Sequence, residues 1–131
     1  MIKIIDKFYK ALGDLFYAIA AADDTVRAEE KAQLDKEIQF AWKHYDNSTD
    51  RFGSDRAFLT EFEFEAMEDS MISAEEAYNA FEAYFDDHQQ EIDTYTRVRI
   101  FNSARHIAEA TRKLNKEETK YLIRLKNLLR V

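Results

Sequence analysis

The chain has no cysteine, no proline and only two glycines, Gly13 and Gly53, in 131 residues. Without cysteine there is no disulfide, no thiolate zinc site and no cysteine nucleophile, as suits a reducing compartment. With no proline and almost no glycine, little interrupts a helix, and a β protein would lack its turn residues. The two glycines stand apart, which excludes a phosphate-cradling glycine loop. Long apolar runs are also missing, because Asp6, Lys7, Lys10 and Asp14 break the stretch from Met1 to Ile19. Neither a signal peptide nor a membrane span is predicted, and a cytoplasmic protein is expected.

Helix formers are plentiful, and 131 residues suit one compact domain, residues 1–131, that buries roughly two thirds of its unfolded surface. Apolar residues at three- and four-residue steps predict an all-α bundle of about six helices. Residues 2–22 carry Phe8, Leu12, Leu15, Phe16 and Ile19 on one stripe, and residues 28–45 continue with Leu34, Ile38, Ala41, Trp42 and Tyr45. Residues 46–53 read as a loop. Residues 55–69 show Phe58, Leu59, Phe62, Ala66 and Met67 at helical spacing, although Glu61 to Glu65 alternates like a strand. A fourth helix follows Ser73 and turns Tyr78, Phe81, Tyr84 and Phe85 inward. A long fifth covers residues 90–113 and buries Ile92, Tyr95, Ile100, Ile107 and Ala110; a sixth opens at Asn115. Eighteen aromatic residues supply a generous core. Phe52 and Phe64 fall off the stripes, which makes them candidate exposed contacts for a protein partner.

Charge is unevenly distributed. Residues 1–96 hold 9 Lys and Arg against 23 Asp and Glu, a balance of −14, whereas residues 97–131 hold 10 against 3, a balance of +7. A nucleic-acid or anionic-membrane surface on the last two helices is one account. The favoured one is that Arg97, Arg99, Arg105, Arg112, Lys113, Lys120, Arg124 and Arg130 are spread over solvated faces and pair with the acidic remainder.

One pattern occurs three times: a branched apolar residue, a helix-opening position, a spacer and two glutamates. The copies are Val26 to Glu30, Ile72 to Glu76 and Leu114 to Glu118. Ser73 with Glu76, and Asn115 with Glu118, have the spacing of a capping box, in which each side chain bonds the other residue's backbone amide. A shift of 88 residues aligns the first copy with the last through Ile19 and Ile107, Ala20 and Ala108, Ala22 and Ala110, Val26 and Leu114, Glu29 and Glu117, Glu30 and Glu118, and Leu34 and Leu122. A helix-turn-helix unit used twice predicts two pseudo-symmetric halves bridged by the third and fourth helices.

The stretch Ile19-Ala20-Ala21-Ala22-Asp23-Asp24-Thr25-Val26-Arg27-Ala28-Glu29-Glu30, with its degenerate echo near the C-terminus, resembles the tellurite-resistance TerB-like domains. Their signature is an alanine-rich helix end, Ala-Asp-Gly, an apolar residue and a glutamate opening the next helix. The resemblance implies a compact, non-enzymatic helical domain linked to stress responses, with turn carboxylates that bind a divalent cation. The family aspartate falls on Asp23 and its glutamate on Glu30. Asp24 replaces the usual glycine and is a residue that tolerates a left-handed backbone. In the second half Thr111, Arg112 and Lys113 replace the acidic continuation.

Asp23, Asp24, Glu29 and Glu30 are therefore the candidate ligands for Ca²⁺ or Mg²⁺, hard cations that take oxygen donors. The spacing is not that of an EF-hand. A plainer account has Glu29 and Glu30 favouring the positive end of their helix while the aspartates close the turn. His44, His88 and His106 lack a glutamate three residues earlier, which excludes the Glu-x-x-His pairs of di-iron bundles, and no His-Glu-x-x-His motif occurs. The expected function is a non-enzymatic domain that acts through protein partners and binds a cation at the first turn. The alternatives are a metal-free helical adaptor and, less favoured, a nucleic-acid or membrane-surface module.

Overall fold

The structure, a computed structural model, describes residues 2–43, 45, 56–111 and 114–131. Six α-helices occur among them: α1 (Ile2–Ala20), α2 (Ala28–Glu37), α3 (Phe58–Asp69), α4 (Ala74–His88), α5 (Thr94–Ala108) and α6 (Lys116–Leu129). No strand occurs among the described residues, and none of their helices is long and apolar enough to cross a membrane.

α1 is the axis. Every residue from Ala11 to Ala21 is buried, because α3, α4, α5 and α6 all pack on this one helix. A helix buried all round must be small where a neighbour comes close. Gly13 supplies that gap: a Cβ there would lie 2.6 Å from the Thr60 carbonyl oxygen and 2.7 Å from the Glu63 Cβ of α3. Beside it the Thr60 hydroxyl donates to the Tyr9 carbonyl at 2.8 Å, which pins α3 across the close approach.

This contact sets the face of α3 and corrects two expectations. Phe64 is not an exposed partner contact. It is 1% exposed, edge-on to Tyr17 with ring centroids 5.6 Å apart, while Phe62, read as inward, is 63% exposed. With Thr60 turned against α1, the residue one helical turn later, Phe64, must face the same way. The other partner candidate, Phe52, lies outside the described residues. α3 then ends in a left-handed residue, Met71 (φ 55°), with the amides of Met71 and Ile72 bonded back to the carbonyls of Glu68 and Met67 at 3.0 and 3.1 Å. This closure satisfies carbonyls the helix would otherwise leave open.

The second helix is not uniform. After Glu37 it widens into a π-helical turn, Ile38–Trp42, in which the Lys43 amide reaches the Ile38 carbonyl at 2.8 Å. Widened turns of this kind occur where a side chain must be re-aimed, and here the turn delivers Trp42 fully into the core. The expected long fifth helix also divides. The Asp93 carboxylate accepts from the Thr96 amide at 2.8 Å and caps a helix that begins only at Thr94. Short 3₁₀ turns flank it at Gln89–Glu91 and Glu109–Thr111. Tyr95, just inside the new start, is 71% exposed instead of buried.

Candidate functional site

The turn between α1 and α2 and the start of α6 form one junction. Asp24 takes the left-handed conformation expected of the residue in glycine's place (φ 66°). Asp23 closes the turn through its Oδ1, which accepts from the Thr25 amide at 3.2 Å. Its Oδ2 meets the Arg27 guanidinium at 2.8 Å and accepts from the Asn115 side-chain amide at 2.9 Å. The Arg27 bond holds the Asp23 carboxyl below the usual carboxylate range. Asn115 is in turn the N-cap of α6: its Oδ1 accepts from the Glu118 amide at 2.8 Å, and Glu118 Oε1 accepts from the Asn115 amide at 3.2 Å. The Asn115–Glu118 capping box is thus complete. Ser73 accepts from the Glu76 amide at 3.1 Å and caps α4 by that bond alone, without the return bond of the expected capping box.

Beneath this lattice two glutamates meet. Glu30 is 0% and Glu118 1% exposed, and they are the residues that the 88-residue shift aligns. Each spends one oxygen on a helix start, Glu30 Oε1 accepting from the Arg27 amide at 2.8 Å. Each leaves Oε2 buried with no protein donor. Burial, and then the neighbouring Glu118 carboxyl, push Glu30 up to about 8, far above an ordinary glutamate.

The four carboxylates expected to converge therefore divide. Asp23 and Glu30 belong to the junction, whereas Asp24 and Glu29 are exposed to solvent. Among the described residues no group of three or more His, Asp or Glu side chains is placed to hold a metal ion. The reason is the helix itself: Glu29 and Glu30 are adjacent, so burying one turns the other about 100° away.

A second constellation has no counterpart in the sequence motifs. A groove of about 360 Å³ between α2 and α5 is lined by Glu37, Ala41, Arg99, Ser103, His106 and the exposed Tyr95 and Val98, among others. Its floor is a chain of hydrogen bonds. Trp42 Nε1 donates to Ser103 Oγ at 3.0 Å, Ser103 donates to Glu37 Oε1 at 2.7 Å, and Glu37 Oε2 receives Gln33 Nε2 at 2.7 Å and lies 3.2 Å from His106 Nδ1. His106, which reads as solitary along the chain, has its carboxylate partner on another helix. Arg99 lies over the rings of Trp42, Tyr45 and Tyr95 at 5.8, 5.8 and 5.3 Å and donates to the Ala41 carbonyl.

Models of known protein families, curated proteins and solved structures provide no match to this chain. What the residues can do is therefore read from their own geometry.

The arginines of the basic half are largely engaged within the domain. Arg97 bonds the carbonyls of Gln89, Ile92 and Leu129 and stacks on Phe85 at 4.9 Å. Arg105 lies 3.5 Å from Glu109, and Arg124 lies 2.7 Å from Glu75 and 4.2 Å from the centre of the Tyr78 ring. Arg112 and Lys113 lie outside the described residues.

Proposed function

We propose that this chain is a non-enzymatic helical domain that acts by holding a protein partner in the groove between α2 and α5. The observation that carries this reading is the contrast within that groove. Its floor is locked by the Trp42–Ser103–Glu37–His106 bonds, while Tyr95 and Val98 stand above it in water, 71% and 42% exposed. Phe40, adjacent in the chain to the lining residue Ala41, is 87% exposed. Rigid support beneath exposed aromatic and branched side chains is the arrangement of an interface centre, where aromatic anchors contribute most of the binding energy. The test is affinity capture from native cell extract with the wild type and a Tyr95→Ala, Val98→Ala variant of unchanged melting temperature. A partner held by the wild type and lost by the variant supports this reading. Equal capture by both would overturn it.

A second reading keeps the TerB-like role in stress responses, with a divalent cation at the junction. It is favoured by the paired free oxygens of Glu30 and Glu118, two hard donors of the type Ca²⁺ and Mg²⁺ accept. Because a cation must displace any proton held there, binding would strengthen with pH. Calcium or magnesium should raise the melting temperature at pH 8.5 more than at pH 6, and Glu118→Gln should abolish the rise. A melt that cations leave unchanged at both values would remove this reading.

A further inference from the structure

Arg99 is the cation of the α2–α5 groove, and it has no counter-ion. Its guanidinium donates to the Ala41 carbonyl and, at 3.4 Å, to the Tyr95 hydroxyl, while its Nε is buried without an acceptor. A guanidinium carries five N–H donors and a permanent charge, so most of its bonding capacity is unmet. Among the described residues no carboxylate pairs with it. Arg105 and Arg124 differ, being paired with Glu109 and Glu75. The rings of Trp42, Tyr45 and Tyr95 hold the Arg99 plane in place but do not neutralise it. Glu37 is the one acid among the described lining residues, and its two oxygens already receive Ser103 and Gln33, with His106 Nδ1 at 3.2 Å. Asn102, half-buried and three residues beyond Arg99, lines the same groove with a side-chain amide that bonds nothing among the described residues.

Resting on the reading of this groove as a partner site, we infer that its occupant is an acidic peptide segment: an Asp or Glu side chain pairs with Arg99, and an adjacent apolar side chain packs on Val98 and Ala41. Charge complementarity selects the acid, because a planar guanidinium and a carboxylate form two parallel charge-assisted hydrogen bonds. Asn102 is placed to bond the backbone of the segment. The acid is an internal residue of its chain, since the lining extends about one helical turn to either side of Arg99, to Tyr95 and to Ser103. A nucleic-acid strand fits the groove less well. Its affinity rests on many neutralised phosphates, whereas this groove holds one arginine above a buried carboxylate.

The test selects peptides from a displayed random library on the folded chain and measures the enriched peptides by calorimetry. The proteins compared are the wild type, Arg99→Gln and the Tyr95→Ala, Val98→Ala variant. Enriched peptides should share an Asp or Glu beside a branched or aromatic residue and lose binding to the double variant. Replacing that acid by its amide, or Arg99 by Gln, should weaken binding about tenfold or more. The amide replacement is made in the peptide, so it decides the matter even if Arg99→Gln fails to fold. Peptides that need Tyr95 and Val98 but carry no acid, or bind equally well as the amide, would overturn this inference and leave the groove reading standing. No enriched peptide, or only peptides indifferent to Tyr95 and Val98, would overturn both. A single-stranded oligonucleotide that binds more tightly than every peptide, and is lost in Arg99→Gln, would also overturn the inference.

Discussion

Gly13→Ala separates tertiary fit from helix propensity. In an isolated helix, alanine in place of glycine is favourable by about 1 kcal/mol. Here the new Cβ would stand 2.6 Å from a backbone oxygen and 2.7 Å from the Glu63 Cβ, neither of them the free end of a flexible side chain. The helices must therefore part by several tenths of an ångström, and overpacking of this kind costs about 1–3 kcal/mol. Parting them also stretches the 2.8 Å bond from Thr60 to the Tyr9 carbonyl, a further loss of about 0.5–1.5 kcal/mol. The propensity gain offsets only part of this, leaving a net destabilisation of about 1–3 kcal/mol and a fall in melting temperature of about 4 °C per kcal/mol at this chain length. Urea titration with the fluorescence of Trp42, the single tryptophan, measures it directly. A variant as stable as the wild type, or more so, would mean that α3 does not lie against α1 at Gly13, and the burial assigned to Phe64 would fall with it.

Ser103→Ala removes a hydroxyl that both accepts from buried Trp42 and donates to buried Glu37; leaving two groups unpaired should cost about 2–4 kcal/mol, read as a lower urea midpoint. Phe64→Ala should cost about 3–5 kcal/mol by opening a cavity beside Tyr17. The exposed neighbour Phe62→Ala should change stability by less than about 0.5 kcal/mol, and the reverse order in thermal melts would restore the helix face expected from spacing.

The parts legible in the sequence were those with local causes. α1 announced itself because its apolar residues recur without a breaker, and α6 because Asn115 and Glu118 carry a capping box that the structure completes. α3 was a poor guide to its own orientation. Phe58, Leu59, Phe62, Phe64 and Met67 point in several directions, so which of them turns inward is decided by Gly13, about 50 residues away on another helix. The π-helical turn had no local signal either, since its stabilising bond from Trp42 to Ser103 spans 61 residues. The same holds for the groove. Glu37 lies 66 and 69 residues from Ser103 and His106, and no spacing rule within one helix joins them. Of the acidic turn, the spacing set Asp23, Asp24, Glu29 and Glu30 together, whereas the fold divides them, Asp23 and Glu30 joining the junction while Asp24 and Glu29 face solvent. It did not reveal that the neighbour of Glu30 is Glu118, on another helix.

That pairing explains why the capping position carries glutamate. The N-cap itself is filled by Asn115, Ser73 or Asp93, whose side-chain oxygen accepts from the amide three residues on, whereas Glu30 and Glu118 stand at that third position and reach back to the cap amide. Glu30 and Glu118 make that bond with Oε1, and each has Oε2 buried without a donor. Glutamine keeps the bond from the Arg27 amide through its carbonyl oxygen, and its NH₂ group, which does not titrate, is a donor on the side of Glu118. Glu30→Gln should therefore lie within about 1 kcal/mol of the wild type at pH 6 and gain on it by about 2–3 kcal/mol between pH 6 and 8, following the 1.36 kcal/mol per unit that a raised carboxyl entails. Glu30→Ala leaves the Arg27 amide without its acceptor and opens space beside the buried Glu118 carboxyl, so it should be less stable than both at pH 6, by about 2–4 kcal/mol. Calorimetry of the three proteins at the two pH values tests this order. If Gln and Ala are equally harmful at both, the buried oxygens are not coupled, and the two glutamates are only helix caps that happen to lie together.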